Sequence, residues 1–166
     1  EMCIRDSRSV AFIGPTMKYN GVIRHRFDGF ASVLRVNGME VRSEHIFEIK
    51  SDVRQEAIIA LGKHIASMKK EFSAIFITSD QIASYIVQGL ISEGVSVPDE
   101  MSVIGFDNLE ICRQISPQLT TIAQDLNQKA HFAVSTLFQR LTDSSLPAQS
   151  MVLDVELVER ASVVQK

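Results

Sequence analysis

The sequence predicts an α/β fold, a doubly wound parallel sheet flanked by helices. Three features predict it: short apolar runs that read as strands buried on both faces, stretches of helical apolar spacing between them, and short turn-rich connections. Parallel strands need crossover helices, so this alternation argues against a bundle or a barrel and places helices on both sheet faces.

The first strand is Val10 to Gly14 (VAFIG), stopped by Gly14-Pro15. After a polar loop from Thr16 to Gly21, Phe27, Phe30, Ala31 and Leu34 recur at helical spacing, and Asn37-Gly38 supplies a left-handed stop. His45 to Ile49 is a weaker strand. Ser51 and Asp52 follow as N-cap candidates, with Gln55 able to close a capping box from Asp52 ahead of a helix carrying Ala57, Ile58, Leu61, Ile65 and Met68. Ala74 to Thr78 is a buried strand, Ser79-Asp80 caps the next helix, and Gly94 ends it after Ile82, Ile86 and Leu90. Met101 to Gly105 is the fourth strand.

The remainder breaks the rhythm. Asp107 to Gln118 is irregular, Leu119 to Ala123 reads as a short strand, and Leu126, Ala130, Val134, Leu137, Phe138 and Leu141 mark an amphipathic helix whose apolar face needs a partner. Ser144 to Ala148 is a linker, and Val152 to Val158 alternates as a strand with Val152 and Val158 as pairing positions.

With 166 residues, 45% of them hydrophobic and 22% charged, the chain fits one globular domain, which excludes disordered and collagen-like classes. Such a length buries roughly 70% of the unfolded surface, enough for a core without disulfides or metal. The two cysteines, Cys3 and Cys112, match neither metal nor disulfide spacing, so a reducing, cytoplasmic compartment is expected. A net charge of -3 without a basic block argues against autonomous nucleic-acid binding. No run reaches the roughly 20 apolar residues of a membrane span, and Glu1 to Arg8, an aperiodic head, lacks the apolar core of an export signal and reads as a truncation or assembly scar.

In an open α/β sheet, ligands bind beyond the carboxyl ends of the strands. That rule selects Pro15 and Thr16, Lys50 and Ser51, Ser79 and Asp80, and Asp107 and Asn108, with Arg24 and Arg26 opening the first helix. Fixed carboxylates, an amide and a guanidinium suit a polyhydroxylated or amide-bearing small molecule. By residue pattern alone Asp80 reads first as an N-cap, and Arg26 and Lys50 as solvated charges, whereas capping explains Asp107 poorly because no helical pattern starts there. Dinucleotide, P-loop, α/β-hydrolase and zincin motifs are absent, so no catalytic residue and no cofactor is assigned. His25, His45, His64 and His131 lie on different elements at spacings unlike a metal site. An acidic residue ending a central strand, as Asp80 does, leaves a receiver-like phosphoacceptor as an alternative, although the paired acids expected after a first strand are missing.

The stretch from Ala74 to Asp125 resembles the effector-binding core of the lactose-repressor (LacI/GalR) family of transcriptional regulators. It joins a strand, Asp80 and a helix to GVSVPDEMSVIGFDN and then to SPQLTTI with a following Gln, in the family's order. VAFIG, the R-x-R-F-D-G-F run from Arg24 to Phe30, and VELVERASV from Val155 to Val163 fit the same pattern. The resemblance implies a periplasmic-binding-protein-like domain of two subdomains closing on an effector, of which residues 9–118 and 150–163 are the C-terminal one. Residues 119–141 are then a returning segment and helix of the absent N-terminal subdomain.

By the same resemblance, Arg26 and Asp107 hydrogen-bond the effector. Ser79 stands where some sugar-binding members carry Asn, and Lys50 or Ser51 where an aromatic often stacks on the ligand. Homodimerisation in the intact protein is implied, with Tyr85, Leu109, Ile111 and Ile115 suited to the contact; the other reading of these four is that they pack a loop onto the core. Operator DNA is expected to be contacted only through an absent N-terminal helix-turn-helix, and no membrane is expected to take part. A solute-binding protein of a sugar transport system shares the fold and is the main alternative.

Overall fold

The computed structural model describes residues 9–17, 21–50 and 52–164. Its elements are β1 (Val10–Pro15), α1 (Val22–Val36), β2 (Ile46–Ile49), α2 (Gln55–Ala66), β3 (Ala74–Ile77), α3 (Asp80–Ser92), β4 (Ser102–Phe106), α4 (Ile111–Gln114), β5 (Thr120–Gln124), α5 (Leu126–Thr142) and β6 (Val155–Val158), with a short 3-10 turn at Ser43–His45. One six-stranded sheet runs in the order β2-β1-β3-β4-β5-β6. Neighbours from β2 to β5 are parallel, and β6 is antiparallel to β5.

Alternation along the central strands divides the core between two helical layers. Ala11, Ile13, Ile75, Ile77 and Val103 face α2 and α3, where Ile58, Ile65, Ile86 and Leu90 complete the larger cluster. Val10 and Ala74 face the other way and meet Leu34 and Phe30 of α1. Phe12 joins them, its ring centroid 5.1 Å from Phe27 and 5.3 Å from Phe30. Helices on both faces are therefore held by the period-two pattern that the sequence carries. Between α2 and α3 the backbones nearly touch: a Cβ on Gly62 would lie 2.6 Å from the Ile86 carbonyl oxygen. Gly38 and Gly94 end α1 and α3 at φ of 70° and 77°, the left-handed stops expected of them.

Several boundaries differ from the sequence expectation, each for a reason of partnering. Ser51 lies outside the described residues, and Asp52 does not cap α2. The N-cap is Arg54, with no side-chain cap bond, because a turn closed by Val53 N–H to Lys50 O intervenes and makes Gln55 the first helical residue. The last strand begins at Val155 rather than Val152, which is 94% exposed. Its register against β5 ends at Gln124↔Val155, so earlier residues have no strand beside them. The returning segment expected from residue 119 parts from this sheet only after Gln124, since Thr120 to Ile122 pair with β4. The irregular 107–118 stretch contains α4. The head, residues 1–8, lies outside the described residues.

Helix α5 opens on Asp125, whose carboxylate accepts from Gln128 N–H at 2.8 Å. None of its residues is buried, and Leu126, Val134, Leu137, Phe138 and Leu141 stand exposed on it.

Candidate functional site

The carboxyl edge of the sheet gathers a compact polar cluster. Arg26, in the second turn of α1, points back across the strand ends, where its Nη1 donates to the Thr78 carbonyl at 2.5 Å and its Nη2 to Asp107 Oδ1 at 3.3 Å. Its guanidinium lies 3.6 Å from the centroid of the Phe106 ring, a cation–π contact that fixes its plane. Gln124, at the end of β5, donates from Nε2 to the same Asp107 Oδ1 at 2.8 Å, and Lys129 Nζ in turn donates to Gln124 Oε1 at 3.4 Å. The Asp107 carboxylate is thus held from two sides and remains 29% exposed. Arg26 Nε is buried and has no partner among the described residues.

The backbone that presents Asp107 is unusual. Asp107 and Asn108 both have positive φ, 107° and 53°, a region that non-glycine residues enter only when their surroundings hold them there. Asp107 N–H donates to Ile122 O at 2.8 Å, while Arg160 Nη2 donates to Asn108 Oδ1 and Arg160 Nη1 to Leu119 O, each at 2.7 Å. This turn also explains why no helix begins at once after β4.

The other sequence candidates divide. Ser79 is the N-cap residue of α3, directly after the Thr78 carbonyl that Arg26 engages, and makes no side-chain cap bond. Lys50 follows β2 at the outer edge of the sheet, three strand positions from β4. At about 4.8 Å per strand its backbone lies on the order of 14 Å from the Asp107 turn, so it is not part of the Arg26–Asp107 cluster itself.

Asp80 corrects two expectations. Its carboxylate is fully buried and caps nothing on its own helix: Oδ1 accepts from Thr121 Oγ1 at 2.6 Å and Oδ2 from Leu109 N–H at 2.8 Å. With both oxygens engaged inside, Asp80 neither faces the cleft as an effector contact nor offers an attacking oxygen, which removes the phosphoacceptor reading. Nearby Cys112 is also buried; burial, then the hydrogen bond and charge of Asp80, push its thiol up to about 12, so it stays a protonated core side chain rather than a nucleophile.

Tyr85, Ile111 and Ile115 come together. They line a surface groove of about 510 Å³ between α3 and α4, with Gln88 and Ile91 beside them. Tyr85 and Ile115 also pack partly against the main core, as the loop-packing reading expects of them. Leu109 is 39% exposed but is not part of that groove.

Sequence reasoning missed Gln124, Phe106 and Arg160 as parts of this site. The strand-end rule would have found the first two: Gln124 and Phe106 are the last residues of β5 and β4, and the expected strands stopped one residue short of each. Arg160 carried no local signal, since its partners are 41 and 52 residues away in sequence. Among the described residues no helix is long and apolar enough to cross a membrane, and no three His, Cys, Asp or Glu side chains are grouped to hold a metal ion.

Residues 5–163 match the family described as periplasmic binding protein-like domain. The chain is 32% identical over 162 residues to the HTH-type transcriptional repressor PurR of Glaesserella parasuis serovar 5 (strain SH0165), an alignment covering 94% of this chain and 47% of that repressor. It spans about half the length of the curated relatives it matches. The fold is that of the transcription regulator CcpA of Lactococcus lactis, with a TM-score of 0.83 at 21% identity over 95% of this chain and 56% of that one. A LacI family transcriptional regulator from Enterococcus faecalis V583, solved with bound ribose, superposes with a TM-score of 0.80 at 26% identity, covering 99% of this chain and 60% of that one. The chain belongs to the periplasmic binding protein-like domain family, in the form that LacI-family transcriptional regulators carry.

Proposed function

We propose that the chain is the effector-sensing half of a LacI-type transcriptional regulator, and that its effector is a sugar or a related small polar molecule. The observation that carries this reading is the Arg26–Asp107–Gln124 cluster at the carboxyl edge of the sheet. A carboxylate held between a guanidinium and an amide, with an aromatic ring beneath the guanidinium, offers paired acceptors and donors to vicinal hydroxyls. Ser79 flanks this cluster. Ribose in the similar Enterococcus faecalis regulator supports the same ligand class.

The effector bridges this edge and a second subdomain outside the chain. Two uncovered apolar surfaces support that division: the exposed face of α5, and a trough of about 650 Å³ beside α1 lined by Phe30, Val33, Ile104, Ile122 and Leu157. Closure of the two halves then shifts a population of DNA-binding geometries, with operator DNA contacted by a part outside this chain, as its net charge of -3 supports. Such a regulator acts in the cytoplasm.

In the intact regulator, thermal shift against ribose, other mono- and disaccharides, sugar phosphates and nucleobases is expected to find a stabilising molecule. A ligand at 100 times its Kd adds about 2.7 kcal/mol. Arg26→Ala and Asp107→Ala are expected to abolish that shift, and the absence of any shift across all these classes would overturn the sensing role. For self-association, the α3–α4 groove is the proposed contact between two copies. Ile115→Asp and Ile111→Asp are expected to sediment as monomers where the parent regulator is a dimer, and an unchanged mass would exclude this groove.

A further inference from the structure

Asp80 is the most deeply buried acid among the described residues, with no exposed surface, and no lysine, arginine or histidine is paired with it there. Burying a carboxylate is expensive unless hydrogen bonds replace its water. Here hydrogen bonds do: the Cys112 thiol supplies one, and two short ones come from segments that build the effector cluster. Leu109 N–H, which Asp80 Oδ2 accepts at 2.8 Å, is the first amide after the two left-handed residues. The Thr121 hydroxyl donates to Asp80 Oδ1 at 2.6 Å and accepts from Asn108 N–H at 3.4 Å, so one hydroxyl carries the hold of Asp80 onto the turn itself.

The strand leading into the turn is shaped around this carboxylate. A Cβ on Gly105 would overlap Asp80 Oδ1 and lie 2.8 Å from Leu119 Cδ2, so β4 has a glycine where the acid enters. Successive amides of the turn are thereby tied down: Asp107 to Ile122 O, Asn108 to Thr121, Leu109 to Asp80. With the turn in this state the Asp107 carboxylate meets both Arg26 and Gln124.

We infer that Asp80, relayed by Thr121, is a positioning residue of the effector site: it touches no ligand, but clamps the Asp107–Asn108 turn in the left-handed state that aims Asp107 at the cleft. This rests on the proposed effector reading for its purpose, while the clamp itself is a property of the chain alone. The same carboxylate joins the start of α3 to Leu109, two residues before α4, and these two helices wall the groove that holds Tyr85, Ile111 and Ile115.

The test is amide hydrogen exchange by NMR on the 166-residue chain. Asp80→Leu removes both carboxylate acceptors at similar volume. It is expected to speed exchange at Asn108 and Leu109 at least tenfold, leaving the amides of β1 and β3 unchanged, and φ at Asp107 is expected to leave the positive range. Thr121→Val is expected to reproduce the effect at Asn108, and Thr121→Ser, which keeps the hydroxyl, to restore parental protection. Unchanged protection in Asp80→Leu overturns the inference, as does an equal loss across β1 and β3, which would make Asp80 a general stability residue. Should Asp80→Leu fail to fold, the Thr121→Val and Thr121→Ser pair decides by the same criteria. No ligand enters this readout, so its failure leaves the sensing role standing, and a ligand screen without a hit leaves the clamp standing.

Discussion

Replacing Gly89 by valine is expected to destabilise the chain strongly. A Cβ at that position would overlap the Ile59 carbonyl oxygen and lie 2.8 Å from Gly62 Cα, so the obstruction is helix backbone, which cannot rotate aside as a side chain can. Overpacking a core commonly destabilises by about 1–3 kcal/mol, and the upper part of the range applies where backbones must separate. Here α2 would have to lift off α3, breaking the contact between Ile58, Ile65, Ile86 and Leu90 on which the larger core rests. A destabilisation of about 3 kcal/mol is expected against a typical total of about 5–15 kcal/mol. Urea denaturation followed by circular dichroism measures it. Gly29→Ala is the matched control: it lies in α1 with nothing within 4 Å of the added Cβ, and a gain of about 0.5–1 kcal/mol from helix propensity is expected. A Gly89→Val midpoint equal to the parent's would mean that the two helices are not in backbone contact.

On the opposite face, Phe12→Ala is expected to lower stability by about 3–5 kcal/mol, as for other large-to-small changes in a closed core. Phe12 is 1% exposed, and its ring touches Phe27, Phe30 and Phe76. Two of these belong to α1, so the cavity loosens the helix that carries Arg26 and is expected to weaken any effector response along with stability. Phe12→Leu, which keeps most of the volume, is expected to recover most of both. Equal losses in the alanine and leucine variants would count against the cavity account.

Much of the fold was legible because its signals are local. VAFIG and AIFIT declare buried strands by their runs of apolar residues, and Asn37-Gly38 and Gly94 end helices by a conformation glycine adopts freely. The amphipathic stretch from Leu126 to Leu141 announced an apolar face in need of a partner, and α5 leaves that face uncovered. Arg26 and Asp107 were legible for a related reason: strand ends and helix starts follow from the pattern, and the binding edge of an open sheet follows from strand direction.

Other features depend on which element lies beside which. Asp80 looks like an N-cap in sequence because capping partners are three residues away, whereas its actual partners are 29 and 41 residues distant. Lys50 looked equivalent to Asp107 as a strand-end residue, and it is the strand order, with β1 and β3 between β2 and β4, that separates them. The first residue of β6 is set by where β5 ends, and Gln124 joins the site because β5 and β4 are neighbours. The sequence by itself determined the strands, the helices, their alternation and the binding edge, since these rest on periodicities and caps within a few residues. Only the tertiary structure decided that Arg26, Asp107 and Gln124 converge and that Asp80 stands behind them, because those hydrogen bonds join residues that chain folding alone brings within reach.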